Sequence, residues 1–194
     1  LSVDEVNCSE NEIRLIIQEI QVFIFKHFSI SFTASVSKVA EKPSDIRKAY
    51  DIAARNVAYR FLRGKGTVIM EVDFEETHRK INMESLIQLE KKLISELKAS
   101  NKNEFRQCAQ QICRSMSCLD YTDVALCISQ LTNALIHAIT EINHLGFFSA
   151  GTDVRNLTNE LADCETLQEF EKKLIDLGSF FIKARAENKN SKHR

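Results

Sequence analysis

The chain has 194 residues, of which 44% are hydrophobic and 27% charged, and its formal net charge is -1. This balance is that of an ordinary globular protein, and the near-neutral charge excludes the broad basic field that wraps nucleic acid or lies on an anionic membrane. Apolar runs such as residues 22–25 are far too short to cross a bilayer. We expect a segment of a cytoplasmic protein that makes no membrane contact and whose partners are proteins.

Six scattered cysteines, without any C-x-x-C spacing, argue against a disulfide or zinc framework. We predict free, buried thiols in a reducing compartment. The chain contains only one proline and five glycines, which favours long helices over a β-rich fold. The cysteines are Cys8, Cys108, Cys113, Cys118, Cys127 and Cys164.

The apolar pattern of residues 1–76 predicts a small α/β portion of the chain, with its elements in the order helix, strand, helix, strand. Ser9 and Glu12 form a capping box for a first helix of about five turns. A strand is predicted at residues 31–37, a second helix from Pro43 to just before Gly64, and a second strand at residues 67–72. Two strands leave exposed edges, so preceding residues, a partner subunit or the rest of the chain must complete the sheet. Each helix is expected to have one apolar face. In the first helix this face consists of Ile13, Ile16, Ile17, Ile20, Ile24 and Phe28, and in the second of Ile46, Ala49, Tyr50, Ala53, Val57 and Phe61.

Residues 77–186 predict an antiparallel helical bundle, because the apolar period becomes purely helical from Met83 onward and the connections are short. Asn101 with Glu104, and Thr166 with Glu169, are predicted capping boxes. Further helices are predicted at residues 122–145, 153–161 and 166–186. Residues 187–194 form a polar, basic tail. The expected buried stripes are Leu86, Leu89, Leu93 and Leu97; Phe105, Cys108, Ile112 and Met116; Ile128, Leu131, Leu135, Ala138, Ile142 and Leu145; and Leu167, Phe170, Leu174, Leu177 and Phe181.

Chemistry-bearing motifs are weak, and we assign no catalytic, cofactor or metal residue. His137, Glu141 and His144 share a helix face, but that face lies over a quarter-turn from the apolar stripe, which favours a solvated surface over a metal site. Phe147 and Phe148 lie between Gly146 and Gly151 and are candidate contacts for a ligand or partner. Packing of both rings against the bundle is the alternative.

One order of segments in the chain is informative. It consists of residues 31–37, 45–53, 59–64 and 67–69, followed later by Thr166-Leu167-Gln168-Glu169-Phe170. This order resembles the C-terminal half of a degenerate GGDEF-like domain followed by a helical linker. The arrangement is similar to that of AraC-type transcriptional regulators of the YesN response-regulator kind and their membrane-sensor relatives. The Gly-Gly-Asp/Glu-Glu-Phe signature itself is absent, and Ala49 stands where serine is common.

The resemblance implies a non-catalytic, signal-transmitting region of a bacterial transcription regulator. It would couple an N-terminal receiver or sensor to a helix-turn-helix domain beyond residue 194, with self-association and with DNA contact only through that outside domain. Two alternatives stay open. The bundle could be a module that binds a small effector, with Phe147 and Phe148 at its mouth. More remotely, the chain could be a nucleotide cyclase remnant, which would need acidic metal ligands near a glycine-rich turn.

Overall fold

The computed structural model describes residues 9–74, 83–144 and 160–191. The chain divides into two compact units, Leu1–Thr77 and His78–Arg194. Helices dominate the described parts of both units, and two short strands lie in the first. The mostly helical α+β class that the sequence predicts is therefore confirmed.

The first unit contains a two-stranded parallel sheet with a helical crossover. Ala34 pairs with Val68 and Val36 with Met70. Parallel neighbours cannot be joined by a tight hairpin, so the intervening helices carry the chain back to the start of the second strand. The elements are α1 (Glu10–Phe28), β1 (Ala34–Val36), α2 (Ile46–Asn56), α3 (Arg60–Arg63) and β2 (Val68–Met70), with 3-10 turns at Pro43–Asp45, Val57–Tyr59 and Glu71–Phe74.

Both strands are shorter than predicted because side chains take over the backbone hydrogen bonds at their ends. The Met70 amide donates to Asp73 Oδ2 at 2.9 Å, which turns the chain into the 3-10 segment after β2. After β1, the Lys38 amide donates to Glu71 Oε2 at 2.8 Å. Each strand is thereby limited to three residues.

Helix α1 begins with the predicted capping box. Ser9 Oγ accepts a hydrogen bond from the Glu12 amide at 3.3 Å, and Glu12 Oε2 accepts one from the Ser9 amide at 2.7 Å. The helix ends at Ser29, whose φ of 55° is left-handed. None of its residues is buried, so the predicted apolar face is only partly covered.

The predicted second helix is interrupted, and this changes which residues point inward. A 3-10 turn winds about three residues per turn instead of 3.6, so the side chains after Val57–Tyr59 are rotated relative to those of α2. Ile46 and Tyr50, which the sequence places on the packing face, are exposed, whereas Phe61 is buried. Gly64, at φ 93°, ends α3 as predicted.

The second unit consists of helices whose predicted stripes form the core. Leu89 and Ile128 are only half-buried, and Leu145 lies outside the described residues. All other members of the predicted stripes are buried, which confirms those predictions. The helices are α4 (Met83–Ala99), α5 (Lys102–Met116), α6 (Tyr121–His144) and α7 (Leu167–Ser191), and residues 160–162 are also helical.

Contacts along their lengths fix the helix directions. Phe105, in the first turn of α5, lies against Gly178 near the middle of α7, whereas Cys113, farther along α5, lies near Glu171 in the first turns of α7. The helices α5 and α7 are therefore antiparallel. The two-residue connection between α4 and α5 makes them antiparallel as well. Lys98, near the end of α4, pairs with Glu141, near the end of α6, so these two helices run in the same direction.

The predicted capping box of α5 is wrong. The Asn101 side chain does not cap the helix. Its nitrogen Nδ2 instead donates to Glu96 Oε2 at 2.7 Å. Glu104 pairs with Lys92 at 3.4 Å. The connection is too tight for the cap geometry, since the chain reverses through Ser100 at φ 65°.

Helix α7 begins with half of its predicted box. Thr166 Oγ1 accepts from the Glu169 amide at 3.1 Å, as predicted. The Glu169 carboxylate accepts from the Glu165 amide, at 3.1 Å, one residue before the expected position. The helix continues to Ser191, beyond the predicted end near Ala186.

Candidate functional site

The sequence-predicted contact residues, Phe147 and Phe148, lie outside the described residues, as does the side chain of His144. His137 and Glu141 are on the exposed side of α6, as predicted. Glu141 forms a salt bridge with Lys98 Nζ at 2.5 Å, and this hydrogen bond lowers the pKa of the Glu141 carboxyl. Within residues 9–74, 83–144 and 160–191, no three His, Cys, Asp or Glu side chains cluster as a metal site would require.

The interior of the bundle is closely packed where it is described. A void of about 20 Å³ lies between α4, α5 and α6 and is lined by Met116, Cys127 and Leu131. This is room for about one water molecule, far less than a small-molecule site needs. Glu90 lies at its rim, and burial raises the pKa of that carboxyl.

A larger groove of about 460 Å³ lies between α5 and α7 and is open and polar. Arg106 and Lys172 contribute positive charge to its lining, whereas Glu171 and Asp176 contribute negative charge. Because the signs are mixed, the groove presents no single-signed field to a charged ligand.

The cysteines in the described ranges are free thiols, and four of the five are buried, as predicted. Burial raises the pKa of the Cys113 thiol to about 12. Burial likewise raises the pKa values of Cys108, Cys127 and Cys164. Protonated, buried thiols are poor nucleophiles, so these four groups serve packing. Cys118 alone among the five is exposed.

A polar anchor joins α1 to the sheet. Arg14 Nη2 donates to Asp73 Oδ1 at 2.7 Å, and Nη1 donates to the Val68 carbonyl at 3.0 Å. The other Asp73 oxygen accepts the Met70 amide, so one carboxylate connects α1 with the end of β2. Farther along α1, Gln21 Nε2 donates to the Phe32 carbonyl at 2.8 Å. Both anchors lie on the side of α1 that faces the strands.

The opposite side of α1 is exposed and apolar. Ile16, Ile20 and Phe23 are 51%, 46% and 59% exposed. At about 100° per residue these three side chains form one stripe, which His27 extends by a further turn. The His27 ring lies 4.4 Å from the Phe23 ring, centroid to centroid. We call Ile16, Ile20, Phe23 and His27 the outer stripe of α1.

The end of the bundle where α4, α6 and α7 finish carries a second polar cluster. Arg185 Nη1 donates to the carbonyl of Lys98, in the last turn of α4. The Lys98 ammonium pairs with Glu141 of α6. One residue of α4 therefore connects the ends of three helices, and Arg185 is the last α7 residue for which such a contact is described.

Sequence reasoning missed both polar clusters. Arg14 and Asp73 are 59 residues apart, and Lys98 and Arg185 are 87 residues apart. A charged residue at such a distance from its partner has the same sequence pattern as one on a solvated helix face. No local pattern distinguishes Arg14, because it shares its face of α1 with the polar residues Glu10, Gln18 and Gln21.

Comparison of the chain with known protein families, curated proteins and solved structures finds no match. In the described part of the chain, no helix combines the length and apolar character that crossing a membrane requires.

Proposed function

We propose that the chain is a non-catalytic, signal-transmitting region of a bacterial transcription regulator of the AraC type and response-regulator kind. It would carry a change of state from an N-terminal receiver or sensor to a C-terminal helix-turn-helix domain. DNA contact would come only through that outside domain. The resemblance of the segment order to a degenerate GGDEF-like half followed by a linker supplies this proposal.

The observation that carries it is the course of α7. Its first four turns are packed in the bundle through Phe170, Leu174 and Phe181. After the Arg185 contact with α4, the backbone stays helical for the six residues from 186 to 191. Six helical residues extend about 9 Å. A helix that is fixed to a bundle by its first turns and continues as helix beyond them is suited to pass a rotation or shift to a domain that follows it.

Two cavities formed by described residues bear on the alternative of an effector-binding module, and neither has the walls of a small-molecule site. A small-molecule site needs a cleft of at least about 300 Å³ with mostly apolar walls. The void inside the described bundle is about 20 Å³, and the larger groove outside it is polar and of mixed charge.

The first experiment is to read the coding sequence on either side of this segment and to measure DNA binding by the full-length product. A helix-turn-helix downstream, with DNA binding that changes when a phosphoryl donor is added, supports the proposal. A stop codon soon after residue 194, with no DNA binding, refutes it.

The role of α7 is tested by insertions after Glu187 in the full-length product. One inserted residue rotates the following domain by about 100°, whereas seven rotate it by about 20° and mainly lengthen the helix. A rigid output helix predicts that the one-residue insertion abolishes regulated DNA binding and the seven-residue insertion retains more of it. Equal activity of both variants would refute a rotational mechanism.

A further inference from the structure

The outer stripe of α1 has the spacing of a helix-pairing surface. Ile16, Ile20, Phe23 and His27 follow each other at intervals of four, three and four residues, which is the a/d spacing of a coiled coil. Three of these side chains are apolar and about half exposed. An uncovered apolar stripe of this kind marks a surface that packs against a partner.

Charges beside the outer stripe indicate which partner fits. Glu19 and Lys26 are seven residues apart and therefore lie on the same side of the stripe, at equivalent g positions. Both side chains are exposed. One carries a negative charge and the other a positive charge, so the edge of the stripe complements itself when a second copy is reversed.

We propose that α1 pairs with α1 of a second copy of this chain, antiparallel and two-fold symmetric. Ile20 then lies opposite the second copy's Phe23, and Phe23 opposite the second copy's Ile20. In the same register Glu19 lies opposite the second copy's Lys26, and the two-fold axis repeats this pair. Pairing through α1 would give a defined surface to the self-association that the resemblance implies. To that extent the pairing rests on the proposed function.

A parallel pair does not use these charges. In a parallel arrangement a g residue meets an e residue of the other helix, and the e positions beside the stripe are Ile17 and Ile24.

The size of the stripe predicts weak association. A stable interface of standard size buries about 800 Å² on each partner, and one stripe over about four turns of helix supplies less. We therefore expect the dimer to dissociate in the micromolar range, so that effects outside the chain, such as an attached receiver, would shift its population.

The surface is tested with two phenylalanines of α1 that differ in direction. Phe23 and Phe25 are 59% and 61% exposed but point about 160° apart around the helix. Sedimentation velocity of the 194-residue chain over a micromolar concentration series should show a monomer–dimer equilibrium. Phe23→Glu should weaken it at least about tenfold, because the new carboxylate must be desolvated in the interface. Phe25→Glu should leave it nearly unchanged.

The register is tested by exchanging charges. Glu19→Lys alone places lysine opposite lysine, and Lys26→Glu alone places glutamate opposite glutamate, so each variant should dimerise about tenfold more weakly. A one-to-one mixture should form heterodimers, because every pair across the antiparallel interface is then of opposite sign. The double variant should dimerise like the original chain. High salt should reduce all of these differences.

Any of three results overturns the inference. The first is a chain that stays monomeric throughout the concentration series. The second is a dimer that Phe25→Glu disrupts while Phe23→Glu does not. The third is a one-to-one mixture of charge variants that fails to associate. Circular dichroism at 222 nm shows whether each variant keeps its helices. The proposed regulatory function fails separately: it falls if no DNA-binding domain follows, even when α1 pairs as described, and it stands if regulated DNA binding persists in Phe23→Glu.

Discussion

Gly178 allows α5 and α7 to approach closely, and replacing it with alanine should destabilise the second unit. A Cβ atom at this position would lie 2.1 Å from Cε1 and 2.3 Å from Cζ of Phe105. Carbon atoms at their best separation are about 3.5–4.0 Å apart, so the overlap exceeds 1 Å. The Phe105 ring is 1% exposed, so any shift of the ring must displace neighbouring core side chains.

Two effects of opposite sign set the size of the change. Alanine is favoured over glycine inside a helix by about 0.8–1.0 kcal/mol. Overpacking a core costs about 1–3 kcal/mol, and complete loss of a buried phenylalanine about 3–5 kcal/mol. The steric term wins, so Gly178→Ala should lower the free energy of unfolding by about 1–3 kcal/mol.

Urea denaturation followed by circular dichroism measures this change, and Phe105→Leu isolates its cause. Leucine lacks Cε1 and Cζ but keeps Cδ atoms, and Phe105 Cδ1 would lie 2.8 Å from the new Cβ. Gly178→Ala should therefore cost clearly less in the Phe105→Leu background than in the original chain. Lys172→Ala, at an exposed position of the same helix, is the control and should stay within about 0.5 kcal/mol. An unchanged or higher stability of Gly178→Ala alone would refute the close approach.

Three further changes have expected outcomes. Ser100→Gly should stabilise the chain by about 0.5–1 kcal/mol in urea denaturation, because φ at this position is 65° and serine pays a steric cost there; a loss would contradict the left-handed turn. Arg14→Ala should increase amide hydrogen exchange in α1, because its bonds to Asp73 and Val68 are lost, and unchanged exchange would show that the anchor is not needed. The free energy of unfolding should fall as pH rises above about 8.5, by up to about 1.4 kcal/mol per pH unit for one thiol. The cause is that the unfolded state releases the Cys113 proton there, while the native state retains it up to a pKa of about 12. Cys113→Ala should make this pH dependence less steep when denaturation is measured at several pH values, and an unaltered pH dependence would exclude this thiol as its source.

Local signals were sufficient for most of the helices and for the core of the bundle. The Ser9 and Thr166 caps mark helix starts, and the stripe from Leu167 to Phe181 is buried as its period predicts. Such features depend on residues three or four positions apart, which the sequence displays directly.

Features that depend on distant residues could not be predicted in the same way. The 3-10 turn at Val57–Tyr59 interrupts the second helix although the apolar pattern continues through it, and Tyr50 of the predicted face is exposed whereas Asn56 is buried. Nor does the pattern around Gly178 indicate that a ring from α5 occupies the space of its missing side chain. For the candidate site, the sequence shows that Ile16, Ile20 and Phe23 of the outer stripe are apolar. It does not show that they are exposed, because their exposure depends on which side of α1 the strands lie.

Helices α1 and α7 are stabilised differently, and this difference bears on how each could act. Helix α7 is fixed by a buried stripe, whereas α1 buries no residue and is stabilised by its capping box and by the Arg14 and Gln21 anchors. Helices in folded proteins owe most of their stability to packing of an apolar face. Pairing of the outer stripe would supply that packing, so the order of α1 should increase with protein concentration. Amide exchange in α1 that slows as the chain is concentrated, while exchange in α7 does not change, is the expected signature.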